Sequence, residues 1–193
     1  IIIGTTRPGR FAGGVASWLR SLVDQRTDAA FEIVDLRDYP LPFFEEKLPL
    51  IYEPPKNDVA RRWAAKMKSL DSYIFITAEY NHSISGVLKN ALDYAYFEYN
   101  RKPATFVGYG GQSAARAIEQ LRLILAELQV ASLKHSVHIN AVEMLGVMRE
   151  GKALDDYPYL AGAVKQMVDE LVWWSNALRS ARATIHEPQL STH

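Results

Sequence analysis

Short apolar runs alternate with amphipathic helical patterns along almost the whole chain, and this alternation constrains the fold more than any other feature. The clearest run, YIFIT at residues 73–77, contains no charged residue, so neither face of the predicted strand carries a charge. Strands that are apolar throughout are typical of a parallel sheet covered by helices on both faces. The order β-α-β-α-β-α-β-α-β-α therefore predicts a three-layer α/β fold with right-handed crossovers.

The apolar runs and helical spacings also place the individual elements. Strands are predicted at residues 1–3, 31–36, 73–77, 104–108 and 133–139. Helices are predicted at residues 15–23, 59–70, 87–96, 118–128 and 160–178, where apolar residues recur every three or four positions. Residues 38–55 contain five prolines, which exclude regular structure from most of this stretch. The stretch is also apolar, so we expect a loop that packs on the surface or on a partner.

The length and composition are those of one globular domain. A chain of 193 residues fits a single domain, which we place at residues 1–183, with a polar tail at 184–193. The 22 basic residues balance the 22 acidic ones. Zero net charge argues against a nucleic-acid partner, because surfaces that bind nucleic acid are normally basic. The chain has no cysteine, which excludes disulfides, thiolate metal sites and cysteine nucleophiles.

The sequence shows no targeting feature. No apolar run approaches the roughly 18 residues that a membrane-spanning helix needs, and no signal-like segment begins the chain. We therefore expect no membrane partner and a cytoplasmic location. Ile1 already lies within a predicted strand and is not a methionine, so we expect some residues to precede it.

Three loops rich in glycine and polar residues follow predicted strands. They are residues 4–11 (the first loop), 78–86 (the second loop) and 108–113 (the third loop). Because the carboxyl ends of parallel strands lie at the same edge of the sheet, the three loops are expected to converge there. Open α/β sheets bind their ligands at this edge, so the loops form the candidate ligand site.

The first loop, GTTRPGRF, resembles a triphosphate-binding loop but lacks its essential residues. The G-x-x-x-x-G-K-[ST] pattern needs a lysine for the phosphates and a hydroxyl for Mg²⁺, whereas this chain has Arg10 and Phe11. A single phosphate needs only N–H groups at a helix start, hydroxyls and a guanidinium, which Thr5, Thr6, Arg7 and Arg10 can supply. From this loop alone, a phosphate site and an ordinary turn with exposed arginines are equally well supported. A G-x-G-x-x-G dinucleotide fingerprint is absent from this position.

The second loop and the helix after it read AEYNHSISGVLKNALD. This segment strongly resembles the P-E-Y-N-x-S-x-P-G-x-L-K-N-A-[IL]-D segment of the NADPH-dependent FMN reductase family. Two residues depart from the pattern, since Ala78 and Ser85 stand at its proline positions. The first loop is similar to the family's G-S-x-R-x-[GN]-S phosphate loop, and GYGG at 108–111 is similar to its third flavin loop. The resemblance covers about residues 1–140.

The resemblance implies a flavodoxin-like fold with a five-stranded parallel sheet of order 2-1-3-4-5. It also implies FMN as cofactor and NADPH or NADH as co-substrate, with electrons passing through the flavin to a small-molecule acceptor. The acceptors implied are quinones, azo compounds, chromate and free flavin. Family members are commonly dimers or tetramers, and the apolar segment at 39–52 suits the interface of a homodimer or homotetramer. No catalytic side chain is expected, because the cofactor carries the chemistry.

The residues expected to contact FMN come from all three loops. They are Thr5, Thr6, Arg7, Arg10, Phe11, Glu79, Tyr80, Asn81, His82, Tyr109, Gly110 and Gly111. The second loop would present backbone amides to the flavin ring, and the glycines of the third loop would let the backbone approach it closely. Glu79 is expected mainly to shape its loop. Arg10 fits either of two roles, a second phosphate clamp or a surface arginine at the entrance.

Two other functions stay open. One is an FMN-binding electron carrier that does not oxidise NAD(P)H directly, although such carriers are usually strongly acidic and this chain is neutral. The other is a flavodoxin-like module that has lost flavin and acts through protein contacts. No metal site is expected, because His135 and His138 are three apart on a predicted strand and therefore point to opposite faces.

Overall fold

A computed structural model describes residues 1–184 of the chain. Its strands are Ile2–Ile3 (β1), Val34–Asp35 (β2), Tyr73–Ala78 (β3), Pro103–Tyr109 (β4) and Ala131–Ile139 (β5). Its α-helices are Ala12–Val23 (α1), Asp58–Ser69 (α2), Gly86–Asp93 (α3), Ala115–Glu127 (α4), Ala141–Arg149 (α5) and Pro158–Ala183 (α6). None of these helices combines the length and the apolar composition that crossing a bilayer requires. Of the predicted polar tail, all but Thr184 lies outside the described residues.

The strands form one parallel sheet in the order β2-β1-β3-β4-β5. This order confirms the predicted flavodoxin-like topology. The edge strand β2 is shorter than the predicted 31–36, since it pairs only with Ile2 and Ile3 of the equally short β1. Ile33 is exposed whereas Val34 is buried, and at the start of the predicted run Phe31 is partly buried against the core without joining the strand.

Two apolar cores, one on each face of the sheet, confirm the three-layer architecture. On one face α2, α3 and α4 pack on the strands, and the fully buried Trp63 donates from Nε1 to the Ala91 carbonyl oxygen (2.7 Å). On the other face α1 and α6 cover strand residues such as Ile74 and Val107. The sheet is thus shielded on both sides, as its apolar strands require.

The sequence patterns did not predict α5, which follows β5. Its start is well defined by a capping box, in which the Asn140 side chain accepts from the backbone of the first turn and Glu143 accepts from the Asn140 N–H (2.9 Å). Its large apolar residues Val142 and Met148 are exposed, and its buried positions include Glu143 and Gly146. Met144 and Val147 are partly buried against the core, so apolar residues lie on both the packed and the exposed side of α5. No single apolar stripe marks the helix, which is why the spacing rule did not identify it.

Residues 39–57 run as turns and extended chain along the surface, as the prolines predicted. Asn90 of α3 anchors this segment with both ends of its amide. Its Nδ2 donates to the Pro42 carbonyl oxygen (2.7 Å), and its Oδ1 accepts from the Phe44 N–H (3.1 Å). The Tyr94 hydroxyl makes two more hydrogen bonds to the backbone of the segment (3.1 and 3.2 Å). The segment is therefore an ordered surface loop that is fixed to α3.

Candidate functional site

The three loops converge at the carboxyl edge of β1, β3 and β4, as predicted. Ala78 and Tyr109, at the ends of β3 and β4, are paired in the sheet. The Ser85 hydroxyl of the second loop donates to the Gly4 carbonyl oxygen of the first loop (2.5 Å). The Thr5 hydroxyl lies 3.5 Å from the Tyr109 hydroxyl. Direct contacts therefore join the first loop to both of the others.

The helix α1 begins directly after the first loop and has an open amino end. The side chain of its N-cap residue, Phe11, makes no capping hydrogen bond, and its first turn, Ala12-Gly13-Gly14, carries no acidic group. The first N–H groups of a helix have no partner within the helix, and together with the helix dipole they favour an anion. A Cβ at Gly13 or Gly14 would meet none of the described atoms within 4 Å, so a ligand can approach this backbone.

Arg10 is buried and paired, which contradicts the alternative of a surface arginine at the entrance. Only 7% of its side chain is exposed. Its guanidinium forms a two-pronged ion pair with Asp35, with Nη1 donating to Oδ1 at 2.7 Å, and it also donates to the Thr5 carbonyl oxygen. Burial acts to raise the pKa of Asp35, but the hydrogen bonds from Arg10 and the backbone hold that pKa below its usual range. Direct contact of Arg10 with a phosphate stays a prediction.

Arg37, which the sequence analysis did not single out, holds the first loop from the outside. It donates from Nε to the Thr6 carbonyl oxygen (3.1 Å) and from Nη2 to the Arg7 carbonyl oxygen (2.7 Å). Asp35 was missed as well, and the only indication in the sequence was that Asp35 and Arg37 lie at the carboxyl end of a strand. The Arg7 side chain is exposed and makes no ion pair within residues 1–184. It is therefore accessible to a ligand.

The second loop folds back in a tight two-residue turn. Tyr80 and Ser83 exchange both backbone hydrogen bonds (2.8 and 3.1 Å). Between them Asn81 and His82 have φ angles of 51° and 74°. Positive φ at both central residues is typical of a type I′ turn, where asparagine and glycine are favoured. The turn leaves Tyr80, Asn81 and His82 exposed at the edge of the sheet, and their contact with a flavin stays a prediction.

Glu79 is turned inward and contacts the start of α4. Its side chain is 7% exposed and forms an ion pair with Arg116. The Arg116 Nε donates to Oε1 at 2.6 Å, and the Arg116 backbone N–H donates to Oε2 at 3.2 Å. Burial acts to raise the pKa of Glu79, but the bonds from Arg116 outweigh it and keep the pKa below its usual range. The carboxylate thus joins the second loop to α4, while its contact with a cofactor stays a prediction.

The third loop has an accessible backbone above a tightly packed base. Gly110 has a φ of 134°, and a Cβ at Gly110 or Gly111 would meet none of the described atoms within 4 Å. At Gly108, by contrast, a Cβ would lie 2.6 Å from the Ser113 carbonyl oxygen. Gly110 and Gly111 therefore leave room for a flat ligand, whereas Gly108 is needed for packing.

Phe11 and Tyr109 form an aromatic pair between the first loop and β4. Their ring centroids are 5.4 Å apart in an edge-to-face arrangement. Burial raises the pKa of the Tyr109 hydroxyl, so it stays protonated at neutral pH. Thr5 is completely buried beside this pair. Ligand contacts from Thr5, Phe11 and Tyr109 stay predictions.

Unusual backbone conformations concentrate around the site. Among residues 1–184, six residues other than glycine have positive φ. Four of them, Asn81, His82, Ser113 and Ala114, belong to the second loop or to the turn that leads from the third loop into α4. Such conformations cost about 1–3 kcal/mol each and are characteristic of functional sites. Their concentration supports this edge as the ligand site.

Metal ligands are not grouped at the site or elsewhere in the described chain, where no cluster of three or more His, Cys, Asp or Glu side chains could hold an ion. The two histidines of β5 have separate partners. His135 pairs with Glu170 (2.7 Å), and His138 pairs with Ser136 (2.8 Å).

The sequence matches the family model of NADPH-dependent FMN reductases over residues 1–143. This chain belongs to that family. The matched region contains the whole sheet and all three loops. It therefore includes every element of the candidate site.

Curated relatives within the family support the assignment. An NAD(P)H-dependent FMN reductase of Schizosaccharomyces pombe is 32% identical over 132 residues, or 67% of this chain and 66% of the relative. An NAD(P)H-dependent FMN reductase of Pseudomonas aeruginosa is 30% identical over 92% of this chain and 95% of the relative. This chain thus spans slightly less than two thirds of the yeast relative but nearly all of the bacterial one. Other relatives are named as quinone reductases and an azoreductase.

The fold recurs in solved structures. FerB from Paracoccus denitrificans, a flavoenzyme NAD(P)H:(acceptor) oxidoreductase, superposes with a TM-score of 0.69 at 22% identity, covering 91% of this chain and 95% of FerB. At that identity the likeness establishes the fold alone.

Proposed function

We propose that this chain is an FMN-dependent NAD(P)H oxidoreductase that reduces a small-molecule acceptor. The observation that carries the proposal is the convergence of three loops at one edge of the sheet. The first of these loops leads into an open helix start, and the third exposes two glycines. Family membership supports the same function.

The residues at this edge fit FMN without a metal. A terminal phosphate is a dianion that needs N–H, hydroxyl and guanidinium donors, which Thr6, Arg7 and the start of α1 offer. The carboxylate of Asp35 would repel a phosphate, but its charge is matched by Arg10. The turn of the second loop and the glycines of the third would border the flavin ring. These residues would bind and orient the cofactor.

When bound, FMN supplies the redox chemistry, namely hydride acceptance from the nicotinamide and electron delivery to the acceptor. The chain's own task is then to orient the cofactor and leave one side of it open to two substrates in turn. No proton-transferring side chain is required by this scheme. Glu79, the best-placed acid, is held as a carboxylate by Arg116. We propose a quinone as the first acceptor to test, since several relatives bear that name, with azo compounds, chromate and free flavin as alternatives.

We also propose that the reductase is a homodimer or homotetramer in the cytoplasm. Support for the oligomer comes from the segment 39–52, which exposes Phe43, Leu48, Ile51 and Tyr52. Exposed apolar groups that are close together on an ordered segment are typical of protein interfaces.

The visible spectrum of the purified protein, loaded with FMN if necessary, tests the enzyme function. The expected result is a bound-flavin spectrum whose absorbance bleaches on anaerobic addition of NADPH or NADH and returns when a quinone is added. Flavin bands that persist with both nucleotides would favour the electron carrier. Failure to take up FMN at all would refute both flavin functions and favour the flavin-free module.

The Arg7→Ala variant tests the phosphate assignment. Loss of one charge-assisted hydrogen bond, worth about 1.5–3 kcal/mol, should weaken FMN binding roughly 10- to 100-fold, while binding of riboflavin, which lacks the phosphate, stays unchanged. Titration followed by flavin fluorescence measures both affinities. Arg61→Ala is the matched control, because Arg61 is an exposed arginine on α2. Equal FMN affinity in Arg7→Ala and the wild type would refute the assignment.

A further inference from the structure

We propose that Asp35, Arg10 and Arg37 form a brace that holds the first loop ready for a phosphate, and that Arg10 is a positioning residue and not a phosphate clamp. The inference rests on the proposed function, since it concerns how this chain binds the phosphate of FMN. It assigns a role to Asp35 and Arg37, which the family resemblance did not single out.

The brace acts on consecutive peptide groups of the first loop. The Thr5 carbonyl oxygen accepts from the Arg10 guanidinium. The Thr6 carbonyl oxygen accepts from Arg37 Nε at 3.1 Å, and the Arg7 carbonyl oxygen accepts from Arg37 Nη2 at 2.7 Å. Two arginines therefore hold three successive carbonyl groups.

The carbonyl contacts determine the direction of the N–H groups. A trans peptide is planar, so its C=O and N–H point in opposite directions. The peptide whose oxygen is held by Arg10 carries the Thr6 N–H, and the next peptide, held by Arg37, carries the Arg7 N–H. Neither N–H donates to an acceptor within residues 1–184, and neither residue is fully buried. In a turn, successive N–H groups can form a concavity that suits an anion, and these two N–H groups have no internal partner that would compete for them.

Asp35 connects the two arginines. Its Oδ1 accepts from Arg10 Nη1 at 2.7 Å and from the Arg37 backbone N–H at 2.9 Å. Both terminal nitrogens of the Arg10 guanidinium donate to Asp35, so the charge that a clamp would offer a phosphate is already matched. A carboxylate so close to a phosphate site would be unfavourable by itself, so its presence is explained by the arginine that it positions.

The brace and the clamp predict opposite effects of Asp35→Asn. If Arg10 is a positioning residue, loss of the carboxylate releases it, the loop loses its set conformation and FMN binds more weakly. If Arg10 is a clamp, loss of the carboxylate frees a positive charge for the phosphate and FMN binds more tightly. The direction in which Asp35→Asn changes the FMN affinity therefore distinguishes the two roles of Arg10.

The test measures the dissociation constants of FMN and riboflavin for the wild type, Asp35→Asn, Arg10→Gln and the double variant. We expect each single variant to weaken FMN binding about tenfold, because the loop must then be ordered on binding, and to change riboflavin binding less than about twofold. The double variant should lose no more FMN affinity than either single variant, since Asp35 and Arg10 act as a unit. Asp24→Asn is the control, because Asp24 forms an ion pair with Arg20 on the surface of α1 and its loss should leave both affinities unchanged.

Folding is checked by thermal unfolding of each variant. If Asp35→Asn does not fold, Arg37→Gln is measured in its place. Arg37 is exposed, and its substitution removes two of the three carbonyl contacts. The same phosphate-specific loss is expected there. Unchanged or tighter FMN binding in a folded Asp35→Asn or Arg37→Gln variant overturns the brace alone. A wild type that binds neither flavin overturns the proposed function and the brace with it.

Discussion

Gly4 is a residue whose role follows from packing and not from ligand contact. In the sequence it opens the candidate phosphate loop. In the structure a Cβ at this position would lie 2.7 Å from the Ile76 carbonyl oxygen and 2.9 Å from Leu88 Cδ2. The strands β1 and β3 and the helix α3 therefore meet at Gly4 without room for a methyl group.

Gly4→Ala should lower the free energy of unfolding by about 1–3 kcal/mol, the usual cost of overpacking a core. The matched control is Gly162→Ala on the exposed side of α6, where a Cβ would meet none of the described atoms within 4 Å. That substitution should raise stability by roughly 0.5–1 kcal/mol, because alanine favours helix over glycine. Urea unfolding measures both variants. A Gly4→Ala protein as stable as the wild type would contradict this packing account.

Lys102 is a buried lysine on the side of the molecule away from the site. Its Nζ donates to the carbonyl oxygens of Met67 (2.8 Å) and Lys68 (3.0 Å) at the end of α2. A cation is favourable at the carboxyl end of a helix, but burial lowers the pKa of Lys102 from about 10.5 to about 8. Folding therefore lowers the proton affinity of the Lys102 amine.

This pKa shift predicts a pH-dependent stability. Between pH 8 and pH 10.5 the unfolded chain binds the Lys102 proton more tightly than the folded chain, so stability should rise with pH. Relative to Lys102→Met, the wild type should gain about 1–2 kcal/mol in free energy of unfolding between pH 8 and pH 10. Denaturant titrations at several pH values measure the difference, with Lys165→Met, an exposed lysine, as control. Parallel curves for wild type and Lys102→Met would contradict it.

The helix α3 is joined to the first loop through its cap. Ser85 stands where the family pattern has proline, and its φ of −65° is one that proline also adopts. Its hydroxyl accepts from the Leu88 N–H at 3.2 Å, which caps α3, and donates to the Gly4 carbonyl oxygen at 2.5 Å. The departure from the pattern therefore keeps the backbone shape and adds a hydrogen bond between two of the three loops.

Ser85→Ala should lower the free energy of unfolding by about 1–2 kcal/mol, the range for loss of a helix cap. Ser85→Pro should restore part of this loss, because proline suits the φ angle and restricts the unfolded chain. Thermal unfolding and FMN affinity are measured for both variants. A Ser85→Ala variant that matches the wild type in stability would show that the hydroxyl contributes nothing at this junction.

The whole molecule has an uneven distribution of exposed apolar side chains. On the segment 39–52 Phe43 is 89% exposed, although the backbone around it is held by hydrogen bonds to α3. On the other face of the sheet, Trp173 of α6 is 65% exposed beside the partly buried Trp174. The ordered segment at 39–52 is the better candidate for contact between copies, because it presents several such side chains together.

Phe43→Asp should therefore dissociate the proposed oligomer, since a buried unpaired carboxylate is costly at an interface core. Trp173→Asp is the matched control and should leave the oligomer intact. Light scattering at micromolar concentration measures the mass of each variant. A monomeric wild type would contradict the proposed oligomer. If Trp173→Asp alone caused dissociation, the interface would lie at α6 and not at the segment 39–52.

Sequence patterns by themselves determined the layers, the parallel sheet and the position of the three loops. These features follow from local regularities: apolar strands such as YIFIT, helical spacing, and glycine or polar residues where strands end. The same patterns missed α5, because its apolar residues lie on both sides of the helix. Val142 and Met148 are exposed, whereas Met144 and Val147 pack on the core. The motifs around Asn81 and Gly110 also predicted a flavin contact at these loops, since the chemistry of a loop lies in consecutive residues.

Only the tertiary structure decided what individual side chains do at that site. Arg10 is paired with Asp35, 25 residues further along the chain, and Thr5 is buried against the end of β4. Neither contact leaves a periodic or local pattern, because it depends on which strand ends lie side by side in the order β2-β1-β3-β4-β5. The physical reason is that burial and charge pairing are properties of neighbours in space, whereas a sequence records only neighbours along the chain.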